Sequence, residues 1–169
     1  HGEEKKLAIL FLDMRGFTAR TTGQLPYDVV FLLNRFFDAI VPAVTNAGGT
    51  IDKYLGDGFL AVFETKTAKS SAKAALQSIE GIAKALVTFN ETLEKEGQGP
   101  VKIGIGAHLG DVVLGEIGAQ GQAPRTLIGD AVNTASRLEG VTKEHQVQAF
   151  ISAPLLEAAD ITIADQHMM

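Results

Sequence analysis

Apolar positions follow two rhythms along this chain. Leu7-Ala8-Ile9-Leu10-Phe11-Leu12 is an unbroken apolar run, the pattern of a strand covered on both faces. Two more apolar stretches, Thr50 to Leu55 and Phe59 to Phe63, flank Gly56-Asp57-Gly58. Asp-Gly between such runs predicts a hairpin, because glycine accepts positive φ without steric cost. Val101 to Leu109 alternates apolar residues with Lys and Gly, and Gly110-Asp111 then predicts a turn into a partner strand, Val112 to Ile117. Thr126 to Ile128, Val147 to Ile151 and Ile161 to Ala164 read as shorter strands.

The helical period takes over elsewhere. From Pro26 to Ala47, residues Val29, Val30, Leu32, Leu33, Phe36, Phe37, Ile40, Val41 and Val44 build a broad apolar face. Pro26 suits the first turn, Pro42 should kink or disturb the last turns, and Gly48-Gly49 ends the helix. A second long helix is predicted over Thr67 to Glu96, stopped by Gly97 to Pro100. Shorter helices follow at Asp130 to Glu139 and Ala153 to Ala159. The order is β-α-β-β-α-β and then a further strand, helix and strand. This predicts an α+β fold with a ferredoxin-like core, an antiparallel sheet with helices on one face.

Composition narrows the function classes. The 169 residues suit a single domain over 1–169. A net charge of -5 excludes a general nucleic-acid binder, which needs a basic face. The absence of cysteine removes disulfides and thiolate chemistry. No apolar run has the length of a membrane span and no signal peptide is visible, so the expectation is a cytoplasmic domain with no direct membrane insertion, a membrane tether in the full-length protein being left open. The termini, His1-Gly2 and His167-Met168-Met169, read as cut boundaries of a domain excised from a longer signalling protein.

Candidate chemistry centres on Asp13, at the end of the first strand, and Asp57, in the hairpin turn. Two carboxylates at neighbouring strand ends would hold divalent cations for in-line displacement at phosphorus, though turn chemistry alone also explains Asp57. On residue type alone, Arg15 reads as a solvated loop cation and His108 as a packed histidine. Asn133 and Arg137 share one face of a helix, where Arg137 pairing with Glu139 is the plain structural reading.

Three blocks change this picture. Phe11-Leu12-Asp13-Met14-Arg15-Gly16-Phe17-Thr18, then Lys53 to Ala61, then Ile128 to Arg137 stand in an order and at a spacing that resembles the class III nucleotidyl cyclase catalytic domain. The resemblance implies attack of a ribose 3′-hydroxyl on the α-phosphorus of its own triphosphate, with expulsion of pyrophosphate. It assigns Asp13, Asp57 and the Met14 carbonyl to two Mg²⁺ or Mn²⁺ ions per site. Backbone amides around Gly16, Phe17 and Thr18 would cradle the triphosphate. Asn133 would orient the ribose, and Arg137 would stabilise charge at the α-phosphate.

Base choice falls to Lys53 and Thr126. A cationic donor suits adenine N1, whereas guanine presents N1–H and needs an acceptor. Thr126 would accept from the adenine 6-amino group, as in a subgroup many of whose members respond to bicarbonate. The implied protein is an adenylyl cyclase acting on ATP as a head-to-tail homodimer under an N-terminal regulatory domain. A guanylyl cyclase, or a non-catalytic module for dimerisation or nucleotide sensing, is the alternative. Two departures bear on triphosphate affinity. Gln122 stands where relatives keep an arginine, with Arg125 displaced toward that role, and no lysine follows Lys143 where a C-terminal hairpin would supply one.

Overall fold

The computed structural model of the protein describes residues 2–122 and 125–160. Strand β1 (Gly2–Met14) leads through a short helix α1 (Phe17–Thr21) into α2 (Pro26–Thr45). The hairpin β2 (Thr50–Leu55) and β3 (Gly58–Phe63) follows, then α3 (Ala68–Lys95) and β4 (Ile103–Glu116). The chain continues through β5 (Arg125–Ile128), α4 (Asp130–His145), β6 (Ala149–Ile151) and α5 (Ala153–Ala158).

The sheet order is β2-β3-β1-β4-β5, with β6 parallel to β4 and all other pairs antiparallel. Strands β2-β3-β1-β4 form the expected ferredoxin-like core. Alternation along β1 divides the interior into two layers. Ala8, Leu10, Leu12 and Met14 join Phe36, Phe59, Phe63 and Ile82 under α2 and α3. Leu7 and Ile9 join Leu60, Val62, Val112, Ala131 and Ala135 under α4. The α+β class is as expected, and the two core helices do share one face. The correction is that α4 covers the opposite face, so helices flank the sheet on both sides. Parallel β6 also makes the sheet mixed.

Glycines let α4 lie against β4. A side chain at Gly106 would overlap the backbone of Ala135 and Glu139, and a Cβ at Gly110 would stand 2.8 Å from the Ala131 Cβ. This explains a second correction. Gly110-Asp111 makes no turn, because both residues stay in the ladder opposite Leu7 and Lys6, and β4 runs through as one strand. Gly110 is there for close helix approach.

The first strand starts at Gly2, five residues ahead of the apolar run, carried by pairing with the far half of β4. Helix α4 also passes Glu139 and runs to His145, ending on left-handed Gln146 at φ 53°. Helix α2 continues past Pro42 to Thr45. The strand expected over Ile161 to Ala164 lies outside the described residues.

Local hydrogen bonds fix the second long helix. Thr67 and Ser70 form a reciprocal capping box at its start. One turn on, the buried Ser71 hydroxyl accepts from Ala8 N–H at 2.8 Å and donates to the Phe63 carbonyl. Among the described residues no helix is long and apolar enough to cross a membrane.

Candidate active site

Strand register places Asp13 between two glycines, opposite Gly58 on β3 and Gly104 on β4. A side chain at Gly58 would overlap the Leu12 carbonyl, and one at Gly104 would run into the Arg15 guanidinium. The row is therefore cleared on both sides of the carboxylate. Asp57 occupies the β2–β3 turn after Gly56, whose φ of 60° is the left-handed value that turn needs. The turn is tied to the end of β1, since Met14 N–H donates to the Asp57 carbonyl at 3.2 Å. Asp13 and Asp57 are thus brought together as predicted, with the Met14 backbone between them.

The two carboxylates feel each other. Burial lifts the Asp13 pKa to about 6, aided by the neighbouring Glu139 carboxyl, while Arg15 and Lys143 act in the opposite direction. Asp57 is also raised, first by burial and then by the charge on Asp13, with its own backbone and Lys143 opposing. An anionic pair held above its ordinary range is one that a cation would relieve.

Arg15 corrects the sequence reading. Only 17% of its side chain is exposed, and it lies over Gly104 between β4 and α4. Its Nη1 donates to Asp13 Oδ1 at 3.3 Å and to Glu139 Oε2 at 3.2 Å, and its Nη2 donates to the Glu139 carbonyl at 3.2 Å. Glu139 therefore pairs with Arg15 rather than Arg137. Sequence reasoning missed Arg15, Glu139 and Lys143 as parts of this centre. The alternation Gly104, Gly106 was the available signal, because it marks a helix close enough to bury a cation.

The other predicted residues lie on other elements or, for Gly16 to Thr18, just after Arg15. Lys53 lies on β2 and Thr126 on β5, the two ends of the strand path. Asn133 and Arg137 are exposed on α4, where Arg137 donates to Thr134 Oγ1 at 3.3 Å. Gly16, at φ 64°, is the N-cap of α1, and Phe17 and Thr18 form its first turn. Amides there lack intrahelical acceptors. Arg125 opens β5 opposite Glu116. His108 is half-buried and bonded to Ser152 Oγ at 2.8 Å, and burial lowers its pKa, as a packed histidine should behave.

Among the described residues no group of three or more His, Cys, Asp or Glu is disposed to hold a metal. Two carboxylates and a backbone carbonyl nevertheless fit Mg²⁺, a hard ion usually held by one or two carboxylates together with substrate phosphates.

Fold and site together define a palm-type α+β domain with a paired-carboxylate centre. The chain belongs to the class III family described as the adenylate and guanylate cyclase catalytic domain, which matches residues 1–161. It is 36% identical over 152 residues to an adenylate cyclase of Anabaena cylindrica, covering 88% of this chain and 30% of that protein. Among solved structures it resembles the guanylyl cyclase Cya2, with a TM-score of 0.83 at 35% identity, over 94% of this chain and 80% of that one. It also resembles the adenylyl cyclase CyaB from P. aeruginosa, with a TM-score of 0.84 at 28% identity, over 95% and 83% of the two chains.

Proposed function

We propose that this domain is an adenylyl cyclase, converting ATP to 3′,5′-cyclic AMP and pyrophosphate. The observation that carries the reading is the Asp13–Asp57 pair, two crowded carboxylates locked at adjacent strand ends by the Met14 to Asp57 hydrogen bond. Bond accounting is simple. The ribose O3′ gives its proton to solvent water and bonds to the α-phosphorus, while the bond from that phosphorus to the β-bridging oxygen breaks and its electron pair leaves with pyrophosphate.

Asp13, Asp57 and the Met14 carbonyl would hold two divalent cations, which supply charge neutralisation on the triphosphate and acidify the 3′-hydroxyl. The amides of Gly16, Phe17 and Thr18 would bind phosphate oxygens, with Arg125 a further cation toward them. Lys53 would donate to adenine N1 and Thr126 would accept from the 6-amino group. Asn133 would orient the ribose, and Arg137 would donate to the α-phosphate as charge develops there, a term of about 3 kcal/mol. Because Arg137 and Asn133 face outward while Asp13 is held by Arg15 and Glu139 against the sheet, complete sites are best formed between two copies arranged head to tail.

Relatives of both the adenylyl and the guanylyl kind resemble this chain, so base choice rests on Lys53 and Thr126. The test is incubation of the purified domain with Mn²⁺ and either ATP or GTP. Cyclic AMP rising faster than linearly with protein concentration, and lost in Asp57→Ala, is the expected result. Preference for GTP would turn the assignment to a guanylyl cyclase, and no product from either nucleotide would leave a non-catalytic module.

A further inference from the structure

The register of β2 is broken at one residue, and the break falls beside Lys53. Ile51 lies opposite Ala61 and Lys53 opposite Leu60, so Asp52 is an extra residue in a bulge. The consequence is a change of face. Ile51 packs in the layer under α2 and α3, to which Ala61 also belongs. Tyr54 lies opposite Phe59 of that layer, and its ring is 4.9 Å from Phe37 of α2. Lys53 instead sits opposite Leu60, which belongs to the layer under α4.

Strict alternation from Ile51 would send Lys53 beneath α2 and put Asp52 in its place. The bulge puts Lys53 on the sheet face from which Asp13 reaches Arg15 and Glu139. Asp52 leaves the ladder but is not released to solvent. Its side chain is 12% exposed, and Oδ2 stands 3.8 Å from Lys53 Nζ, whose side chain is 45% exposed.

We propose that Asp52 is a positioning residue for base recognition, its bulge and carboxylate together aiming the Lys53 ammonium at the purine edge. This rests on the reading of Lys53 as the base-contacting residue. A lysine has four rotatable carbons and a point charge, so its direction must be imposed by neighbours. A half-exposed lysine tethered to a nearly buried carboxylate is directed in this way.

The test uses the whole chain with Mn²⁺. kcat and KM for ATP and GTP are measured in the parent, Lys53→Ala, Asp52→Ala, Asp52→Asn and the Asp52→Ala/Lys53→Ala double variant. Calorimetric titration with 3′-deoxy-ATP and 3′-deoxy-GTP, which cannot cyclise, reads binding without turnover. Lys53→Ala should reduce the preference for ATP over GTP about tenfold or more. Asp52→Ala should lose about five- to tenfold of that preference, chiefly through KM, and the double variant should fall no lower than Lys53→Ala.

Should Asp52→Ala fail to fold, Asp52→Asn keeps the bulge's volume and removes the charge, and it should show the same loss. Undiminished preference in both Asp52 variants, or losses that multiply in the double variant, would overturn the inference while leaving Lys53 as base reader. Unchanged preference in Lys53→Ala would overturn the base-reading role itself, and the inference with it.

Discussion

The two halves of the candidate site are built differently. Around Asp13 the chain is closed. Glycines clear the row, Arg15 is clamped between sheet and α4, and three oxygen acceptors surround its guanidinium. Around Asn133 and Arg137 the chain is open, with both side chains exposed and, among the described residues, Arg137 bonded only to Thr134 of its own helix. A prebuilt half suits a centre that must keep repelling carboxylates in place before any cation arrives. An outward half suits groups that meet their target only when a second surface arrives.

The largest effect should come from breaking each half in a separate chain. Asp57→Ala and Arg137→Ala should each lower kcat by about 10²-fold or more. Mixed together in equal amounts they should regain about a quarter of the parent activity, because half of the symmetric dimers pair unlike chains and each such dimer rebuilds one of two sites. Mixtures as inactive as the separate variants would mean that both halves act within one chain.

Next in size is Arg15→Ala, which leaves the Asp13 and Glu139 carboxylates facing each other without their shared cation. Unfolding by urea should show a loss of about 2–4 kcal/mol, smaller than for a fully buried pair because Arg15 keeps some exposure. Arg15→Lys should recover only part of this, since a point charge cannot serve Asp13, the Glu139 carboxylate and the Glu139 carbonyl together. Full recovery by lysine would show that charge alone matters there.

Much of this architecture is legible in the sequence, for particular reasons. The run Leu7 to Leu12 and the Gly56-Asp57-Gly58 turn state their geometry locally, so β1, the hairpin and the meeting of Asp13 with Asp57 follow from pattern. The face that α4 covers does not, because Gly104, Gly106 and Gly110 act through a helix that lies far along the chain. A lone glycine in a strand reads as a turn or weak spot until its neighbour across the layer is known. Arg15 fails for the same reason, since its partner Glu139 is 124 residues away. The bulge at Asp52 leaves a faint trace: Ile51-Asp52-Lys53-Tyr54 breaks alternation with two charged residues in succession.

A smaller effect separates the halves by pH. Asp13 has a folded pKa of about 6 against an ordinary value of 3.8, so between these values the folded protein binds more protons than the unfolded chain. Its contribution to stability therefore falls as pH rises through that window, opposite to an aspartate whose pKa is depressed, because burial and Glu139 outweigh Arg15 here. A cation that needs the ionised form should release protons on binding near pH 6. Mn²⁺ titrations in buffers of different ionisation enthalpy should show that release, and Asp13→Asn should abolish it. Equal heats in all buffers would place the cation elsewhere.

The smallest effect is the one that makes the contrast sharpest. Among the described residues Arg137 is exposed and its hydrogen bond stays within its own helix turn, so Arg137→Ala should leave the unfolding free energy within about 0.5 kcal/mol of the parent. The same substitution should cost most of the cyclisation rate. A residue that matters to turnover and not to folding is held in place by function alone. Arg15, in the closed half, should show the reverse weighting, with stability lost first and rate lost through Asp13. If Arg137→Ala instead destabilised the isolated chain by several kcal/mol, the outward half would have to be packed within one copy. The division of the site between two copies would then lose its physical basis.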